Sequence, residues 1–243
     1  MSNRVALVTG GSRGIGAAIV EALAKDGYDI ALSYANNADA AEKIAQKVRA
    51  LGRKAITIKA NGATVEGNKA VIAKTIADFG RIDALVCNAG MFPYGPIHET
   101  SVEDIEKVLN LNVRAVMIET AEAAKHMQKG GRLIFIGSAF GARAPFPGIS
   151  LYATTKAALR GFAKGVARDL GPKGITANVV EPGPIDTDMN PAEGEVAKLI
   201  SSFVATGAYG TVADIASTVA FLASPQAEYI TGAAIPVDGG LEA

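Results

Sequence analysis

A glycine-rich turn near the start of the chain is the feature that most constrains the fold. Residues 4–9 form a short Val-rich apolar run, which predicts a strand buried on both faces. Residues 17–25 repeat with helical period, and the stretch GGSRGIG at residues 10–16 joins the two. Glycine lets a backbone approach phosphate groups closely, and a helix N-terminus presents unpaired N–H groups to them. The pattern therefore predicts a phosphate-binding unit, although tight turns also need glycine for purely structural reasons.

Strand and helix patterns alternate along the rest of the chain. Further strands are predicted at residues 28–34, 54–60, 82–87, 131–136, 175–180 and 229–237. Helices are predicted at residues 38–51, 64–79, 101–127, from Tyr152 onward and at 211–223, with one or two short helices within 184–210. Strands that alternate with helices form a parallel sheet, because right-handed crossovers place helices on both of its faces. We expect residues 1–243 to form a single α/β domain of the Rossmann-type doubly wound class, with about seven parallel strands.

The composition limits the compartment and the partners of the protein. Hydrophobic residues make up 49% of the 243 residues, enough for a large buried core. Lys plus Arg and Asp plus Glu each number 24, and this balance argues against nucleic-acid and membrane-surface partners. The single cysteine, Cys87, suits a reducing compartment. Because we find neither a run of about 18 apolar residues nor a cleavable N-terminal apolar segment, we expect a cytoplasmic protein.

Tyr152 and Lys156 stand four residues apart in an apolar segment, so on a helix they share one face. A phenol has a pKa of about 10, and a nearby ammonium group or a bound cationic ring stabilises its phenolate form. Two positive neighbours would therefore bring the pKa of Tyr152 toward the range of acid–base catalysis near neutral pH. The alternative is a pair of solvated side chains on a helix face, because this spacing is common by chance.

Several further motifs occur in order along the chain, each at the end of a predicted strand or helix. They are Thr9-Gly10-x-x-x-Gly14-x-Gly16, Asn88-Ala89-Gly90, Asn112, Ser138, Tyr152-x-x-x-Lys156, and Pro182-Gly183 with Thr187. Together they make the chain resemble the short-chain dehydrogenase/reductase family over essentially its whole length. The C-terminal segment from Tyr229 to Gly240 is similar to that of the bacterial 3-oxoacyl-carrier-protein reductase branch.

The resemblance implies hydride transfer between a nicotinamide and a carbonyl or alcohol group. Tyr152 would exchange the proton of the substrate oxygen, and Ser138 would hydrogen-bond that same oxygen. Lys156 would lower the pKa of Tyr152 and bind the nicotinamide ribose. Asn112 would hold a water molecule that links Lys156 to bulk solvent and completes the proton path.

The resemblance also implies a dinucleotide site along the strand ends. Its expected members are Gly10, Ser12, Arg13, Gly14, Ile15, Gly16, Ser33, Tyr34, Asn36, Asn61, Gly62, Asn88, Ala89, Gly90, Tyr152, Lys156, Pro182, Gly183, Ile185 and Thr187. An acidic residue at the end of the second strand would select NAD(H), because it binds the ribose hydroxyls and repels a 2′-phosphate. Here that end reads LSYANN at residues 32–37, and the next acid is Asp39. Since Arg13 is placed to pair with a phosphate, we favour NADP(H) over NAD(H).

Three departures from the family pattern bear on the site. The segment from Ser138 to Tyr152 is one residue longer than usual and contains Pro145 and Pro147, so we expect its loop to bulge while Ser138 still reaches the site. The third strand ends at Asn61 instead of an acidic residue, and the Asn61 amide oxygen can accept the same hydrogen bond from adenine. The basic surface positions of carrier-protein reductases are sparse, with only Lys129, Arg132 and Lys173 nearby.

Other reactive residues have simpler interpretations. His98 and His126 are too far apart for a metal pair, and the acids at 186, 188 and 193 lie in a segment expected to be solvated, so we expect no metal site. Cys87 lies in a predicted strand and is interpreted as a small buried apolar residue. Loops at the strand ends are expected to line the substrate pocket, namely residues 91–94, Phe140, Phe146 and the 189–207 segment.

The leading hypothesis is an NADPH-dependent carbonyl reductase acting on a small to medium ketone or 3-oxo ester. Alternatives within the family are a 3-oxoacyl-carrier-protein reductase and an NAD(P)-dependent alcohol or sugar dehydrogenase. A dinucleotide-binding regulatory protein is the rival from another class, although such a protein has no need of Asn112, Ser138, Tyr152 and Lys156 together. The helix near Tyr152 is rich in small apolar residues and is predicted to have little polar outer face, so we expect a homotetramer, with a homodimer second.

Overall fold

The computed structural model describes residues 4–243 and contains a seven-stranded parallel sheet. Its strands are β1 (Val5–Val8), β2 (Asp29–Tyr34), β3 (Ala55–Lys59), β4 (Ala84–Cys87), β5 (Arg132–Ile136), β6 (Thr176–Pro182) and β7 (Ala234–Val237). Across the sheet they lie in the order β3-β2-β1-β4-β5-β6-β7. The α/β class and the doubly wound parallel architecture expected from the sequence are thereby confirmed.

Helices cover both faces of this sheet. They are α1 (Gly14–Lys25), α2 (Ala38–Ala50), α3 (Val65–Phe79), α4 (Val102–Leu109), α5 (Ala115–Ala123), α6 (Ser150–Leu170), α7 (Gly194–Ser201) and α8 (Val212–Ala223). Apolar side chains of α1, α2 and α8 form the core on one face, and those of α3, α5 and α6 form the core on the other. In the part of the chain that the structure describes, none of these helices is both long and apolar enough to cross a membrane.

The chain reverses its direction of travel across the sheet at β1. From there it proceeds outward through β2 to β3, and it then returns to β4 and continues to β7 on the other side. In such sheets a crevice opens at the carboxyl ends of the strands on either side of the reversal. The glycine turn at residues 10–16 follows β1, and residues 88–90 follow β4, so both motifs lie at this crevice.

The last strand is shorter than predicted. The sequence predicted a strand at 229–237, whereas β7 begins only at Ala234. Upstream of it, backbone hydrogen bonds still join the chain to β6, from the Gly232 N–H to the Ala177 carbonyl oxygen at 2.7 Å and from the Val179 N–H to the Ala233 carbonyl oxygen at 2.8 Å. Side chains add to this pairing. The Thr231 hydroxyl accepts a 3.1 Å hydrogen bond from the backbone of β6, and the Asn178 amide group forms bonds of 2.8 and 3.1 Å with the backbone on either side of Thr231.

The long helix predicted at 101–127 is interrupted. A π-helical turn at Asn110–Arg114 separates α4 from α5, and α5 ends at Ala123. Such turns widen the helix locally and frequently mark functional sites. Here the turn carries Asn112, whose side chain is almost wholly buried.

Candidate active site

The glycine turn after β1 has a backbone that requires glycine. Gly10 and Gly14 have φ angles of 64° and 53°, a region that other residues rarely adopt. A Cβ atom on Gly16 would lie 2.3 Å from the carbonyl oxygen of Gly10 and would fill the cradle. Of the other predicted members, Ser12 and Ile15 are half-buried and Arg13 is exposed. The first N–H groups of α1 remain available here, so the turn fits the phosphate groups of a dinucleotide.

Asn88 joins the glycine turn to the end of β4. Its side-chain amide donates to the carbonyl oxygens of Thr9 and Gly10, at 3.0 and 3.1 Å. The Thr9 hydroxyl accepts in return from the backbone N–H groups of Asn88 and Ala89, both at 3.2 Å. Both amide hydrogens of Asn88 are therefore used within the protein, and a ribose contact on this side would depend on the backbone or on Gly90.

The end of β2 combines a buried hydroxyl with exposed amides. Ser33 is buried, and its Oγ accepts a 3.3 Å hydrogen bond from the backbone N–H of Gly10. Tyr34 is half-buried and Asn36 is exposed. Within residues 4–243, the Arg13 side chain forms no hydrogen bond or ion pair, and only its backbone carbonyl oxygen accepts, from the N–H of Ala17. A cationic side chain and neutral polar groups thus lie where a ribose phosphate would be recognised.

The predicted adenine contact begins one turn beyond β3. The Asn61 amide oxygen accepts a 3.0 Å hydrogen bond from the backbone N–H of Ala63. An amide oxygen has two lone pairs, so one remains for a ligand. Gly62 lies against Leu111, whose side chain would be 2.9 Å from an added Cβ.

Tyr152 and Lys156 lie in the first two turns of α6. The Lys156 side chain is buried, its Nζ donates a 2.8 Å hydrogen bond to the carbonyl oxygen of Ile136, and it lies 5.7 Å from the centre of the Tyr152 ring. Ser138 follows β5 directly and is buried. The end of β5 thus fixes both Lys156 and Ser138 beside Tyr152.

Burial dominates the ionisation of these groups. Loss of hydration raises the pKa of Tyr152, and a hydrogen bond with Ser138 opposes that rise. Burial lowers the pKa of Lys156 from 10.5 to about 8. The lowered pKa that the sequence predicted for Tyr152 is therefore not found in the polypeptide alone, because the cost of burying the phenolate is the larger effect.

Asn112 joins the segment after β4 to helix α6. Its amide oxygen accepts from the backbone N–H of Met91, and its amide nitrogen donates to the carbonyl oxygen of Met91, both at 2.9 Å. The same nitrogen donates to the Thr155 hydroxyl at 3.2 Å. Both amide hydrogens are used, so the water-binding role implied by the resemblance would depend on other atoms of Asn112.

The long loop between Ser138 and Tyr152 is accommodated by two contacts. Its beginning forms a tight turn in which Ser138 Oγ accepts from the backbone N–H of Phe140, and Gly141 packs directly against the backbone of α6 at Lys156. Near its end, Gly148 has a φ angle of 88° and lies against the ring of Tyr94. The extra residue is absorbed between these contacts, and Ser138 remains beside Tyr152.

The segment after β6 closes the other side of the crevice. Gly183 packs so closely on the backbone of Asp238 that a Cβ atom added to Gly183 would lie 2.6 Å from the Cα of Asp238. Pro182 and Ile185 are buried, whereas Thr187 is half-buried. The Thr187 side chain would be 3.7 Å from a Cβ on Gly14, so this segment reaches the glycine turn.

Aromatic and aliphatic side chains border Tyr152. The ring of Phe92 meets that of Tyr152 edge to face, with 4.7 Å between centres, and Phe140 and Phe146 form a similar pair at 5.3 Å. Phe140 also packs on a small cluster that includes Val204. Several large apolar side chains of the neighbouring loops and of α7 are exposed, namely Tyr94 and Met189 in the loops and Val196 and Leu199 on α7.

The basic residues considered for carrier-protein binding lie elsewhere. Arg132 begins β5, is buried, and donates to the carbonyl oxygen of Ser224. Lys129 precedes β5, and Lys173 precedes β6. In a parallel sheet the strands begin at the edge opposite their carboxyl ends, so the interpretation of these residues as neighbours of the site was wrong.

Two buried acidic residues were not identified from the sequence. Glu181, just before Pro182, is fully buried and forms a two-pronged ion pair with Arg160 of α6, with both distances 2.6 Å. Arg160 also reaches Glu242 at 3.1 Å. Glu119 of α5 is buried behind Thr9 and Cys87. Glu119 could have been noticed in the sequence, because it is the one charged residue on the buried face of α5.

Comparison with known proteins gives likenesses over nearly the whole chain. A family model described as enoyl-(acyl carrier protein) reductase matches residues 10–242. A protein of Escherichia coli (strain K12), named cyclic-di-GMP-binding biofilm dispersal mediator protein, is 40% identical over 242 residues, which are 100% of this chain and 98% of that protein. A 3-oxoacyl-[acyl-carrier-protein] reductase of Staphylococcus aureus (strain N315) is 38% identical over 239 residues, 97% of each chain.

Solved structures show the same architecture. A short-chain dehydrogenase/reductase from Serratia marcescens BCRC 10948 is 48% identical with a TM-score of 0.98, covering 99% of this chain and 98% of the other. A blue fluorescent protein from a metagenomic library, solved in complex with NADPH, is also 48% identical, with a TM-score of 0.97 and the same coverage. The likeness therefore concerns the whole sheet and both helical layers.

Proposed function

Because the chain belongs to the short-chain dehydrogenase/reductase family of oxidoreductases, we propose that it is an NADPH-dependent carbonyl reductase. Its substrate would be a small to medium ketone or 3-oxo ester. The observation that carries this proposal is the convergence of Ser138, Tyr152, Lys156 and Asn112 at the crevice beside the glycine turn.

The cofactor preference is supported by charge at the end of β2. The first acidic residue after this strand is Asp39, in the first turn of α2, so no carboxylate directly follows β2 to repel a 2′-phosphate. Arg13 is exposed at the start of α1 and is available to pair with that phosphate. The structure of the metagenomic relative with NADPH agrees with this preference.

The chemistry follows from the positions of three side chains. Bound NADPH supplies the hydride. The Tyr152 phenol donates its proton to the substrate oxygen as negative charge develops there, and the Ser138 hydroxyl donates a hydrogen bond to the same oxygen. The Lys156 ammonium stabilises the resulting phenolate, because the two groups share one buried face of α6.

The walls around Tyr152 support an uncharged substrate of modest size. Phe92 contacts the Tyr152 ring, and exposed apolar side chains of the nearby loops provide a surface for an alkyl or aryl group. The carrier-protein alternative is supported by the S. aureus relative, but Lys129, Arg132 and Lys173 offer it no basic surface at this edge. Oxidation of an alcohol or sugar would use the same residues in reverse.

A regulatory function is the second candidate, favoured by the name of the E. coli relative, which refers to cyclic-di-GMP binding. A binding protein needs the crevice but has no use for an acid at Tyr152. A Tyr152→Phe substitution therefore separates the two functions. Reductase turnover should fall roughly 100- to 10,000-fold, while NADPH affinity should change little because the phenol is not needed to hold the phosphates.

The test measures NADPH and NADH oxidation by the purified protein against a panel of small ketones and 3-oxo esters. The reductase proposal expects faster turnover with NADPH and loss of that turnover in Tyr152→Phe. Equal turnover by wild type and Tyr152→Phe would contradict the catalytic assignment. Tight cyclic-di-GMP binding with no turnover of any panel member would favour the regulatory function instead.

A further inference from the structure

We propose that Glu119 is a positioning residue that holds the two cofactor-binding turns through Thr9 and takes up a proton when the dinucleotide binds. The proposal rests on the dinucleotide binding proposed above. It concerns cofactor affinity and makes no assumption about the substrate.

The first step in the argument is the location of the Glu119 side chain. It projects from α5 into the core beneath the carboxyl ends of β1 and β4, and only 3% of it is exposed. Its carboxyl group lies against the side chains of Thr9, the residue after β1, and Cys87, the last residue of β4. These two residues directly precede Gly10 and Asn88, so Glu119 contacts the roots of both cofactor-binding turns.

The second step is the direction of the hydrogen bonds. The Thr9 hydroxyl oxygen already accepts from the backbone N–H groups of Asn88 and Ala89, each at 3.2 Å. Its one hydrogen is therefore directed to an acceptor, and Glu119 provides it. The carboxyl group thus fixes the rotation of the hydroxyl that joins the turns, whether it is ionised or neutral.

The third step is the charge around Glu119. The side chains that contact the Glu119 carboxyl group, Thr9 and Cys87, are neutral, and the buried polar residues of the adjacent helix α3, Asn68 and Thr75, carry no charge. The charged residues of α3 are exposed to solvent, namely Glu66, Lys69, Lys74 and Asp78. In the π-helical turn, Arg114 is also exposed and donates to the carbonyl oxygen of Ala63. Burial without a compensating cation raises the pKa of Glu119 from 4.5 to about 7.

The consequence is a link between protonation and cofactor affinity. The ionised form of Glu119 places a negative charge beneath the turn that receives phosphate groups, and like charges repel strongly in a weakly polar interior. The neutral form keeps the hydrogen bond to Thr9 and removes the repulsion. By linkage, dinucleotide binding then favours proton uptake, and affinity falls as the pH rises through about 7.

Glu119→Gln is the matching variant, because glutamine has the shape of the neutral acid and does not titrate. The dissociation constant of NADPH would be measured for both proteins between about pH 5.5 and pH 8.5. NADPH itself ionises in this pH range, and this affects both dissociation constants equally. The ratio of the wild-type constant to the Glu119→Gln constant therefore reports only the effect of Glu119. We expect a ratio near one at low pH that rises roughly three- to tenfold at high pH.

Two further variants separate positioning from a merely structural role. Glu122→Gln changes a half-buried acid on the same helix that pairs with Lys125, and the ratio of the wild-type constant to the Glu122→Gln constant should stay at one throughout. Glu119→Leu keeps an apolar core but removes the acceptor for Thr9, so it should bind NADPH more weakly than Glu119→Gln at every pH, without the pH dependence of wild type. It also provides the pH comparison if Glu119→Gln does not fold.

Calorimetry gives an independent measurement on the unmodified protein. Titration of NADPH near pH 7 in two buffers of different ionisation enthalpy reports the protons taken up, and wild type should take up more than Glu119→Gln or Glu119→Leu. A pH-independent ratio together with equal proton uptake would overturn the inference. Absence of NADPH binding in wild type would instead contradict the proposed function.

Discussion

Lys156 is the residue whose environment most affects the expected chemistry. Its Nζ is buried and has the Ile136 carbonyl oxygen as hydrogen-bond partner. Burial lowers its pKa to about 8, so the ammonium form that stabilises the Tyr152 phenolate is lost under mildly alkaline conditions. The polypeptide alone raises the pKa of Tyr152, which makes the phenol a proton donor in the direction of reduction.

We therefore predict an alkaline limb in the pH profile of carbonyl reduction. The rate constant kcat should fall as the pH rises through about 8, because deprotonation of Lys156 removes its positive charge. Lys156→Arg should shift this limb to higher pH, since guanidinium remains charged, while lowering the rate because its planar shape does not fit the site. A wild-type profile that stays flat up to about pH 10 would contradict this assignment.

Neither buried glutamate was identified from the sequence. Periodicity places Glu119 on a helix, but only the tertiary contacts bring it beneath Thr9 and Cys87. In the same way, Glu181 ends an apolar strand, and its partner Arg160 lies 21 residues earlier on α6. Interactions between elements so far apart depend on packing, which local pattern does not determine.

The ion pair between Glu181 and Arg160 joins two elements of the site. Arg160 projects from α6, which carries Tyr152, toward Glu181 of β6, which leads into the Pro182-Gly183 segment. Glu181 is fully buried, so its charge depends on the guanidinium for compensation. The pair therefore fixes the catalytic helix relative to the segment expected to hold the nicotinamide.

Arg160→Met should lower the free energy of unfolding by about 3 kcal/mol, because it leaves Glu181 buried without its cation. Urea unfolding at fixed protein concentration measures this change. Lys47→Met is the control, since it removes an exposed ion pair with Glu21 and should cost about 0.5 kcal/mol or less. The double variant Arg160→Met/Glu181→Leu should regain most of the lost stability, and failure to do so would show that the pair is not the cause.

On the surface of the folded molecule, helix α6 exposes several small residues. Ala157, Gly161 and Gly165 are exposed on this helix. The predicted lack of a polar outer face is wrong, because polar residues are exposed along its whole length, namely Ser150, Thr154, Lys164, Arg168 and Asp169. A Cβ on Gly161 would meet no atom within 4 Å. We propose that another subunit covers this surface, in a homotetramer or, as the second possibility, a homodimer.

Gly161→Leu tests this assembly without disturbing the subunit. A Cβ at this position meets no atom of the chain within 4 Å, and the substitution replaces a glycine that weakens a helix. Light scattering should therefore show a smaller particle than wild type with an unchanged circular dichroism spectrum. Ala50→Leu, at an exposed position of α2, should keep the wild-type size. An unchanged particle size for Gly161→Leu would exclude this face from the interface.

The sequence by itself determined the architecture and the chemical groups of the site. Alternating periodicities require a parallel sheet with helices on both faces, and the glycines of the first turn require a close backbone approach. Motifs at strand ends then fall together, because parallel strands share one carboxyl edge. The helical spacing of Tyr152 and Lys156, together with the family resemblance that adds Ser138, identified three residues that the structure brings together.

Only the tertiary structure decided how these groups are supported and ionised. The π-helical turn that buries Asn112, the late start of β7 at Ala234, and the position of Arg132 at the opposite edge depend on three-dimensional packing. The same holds for the pKa of Tyr152, which burial raises although a cation lies nearby. Hydration is lost only when distant segments pack together, so the energetic cost of a buried charge is a property of the fold and not of its local sequence.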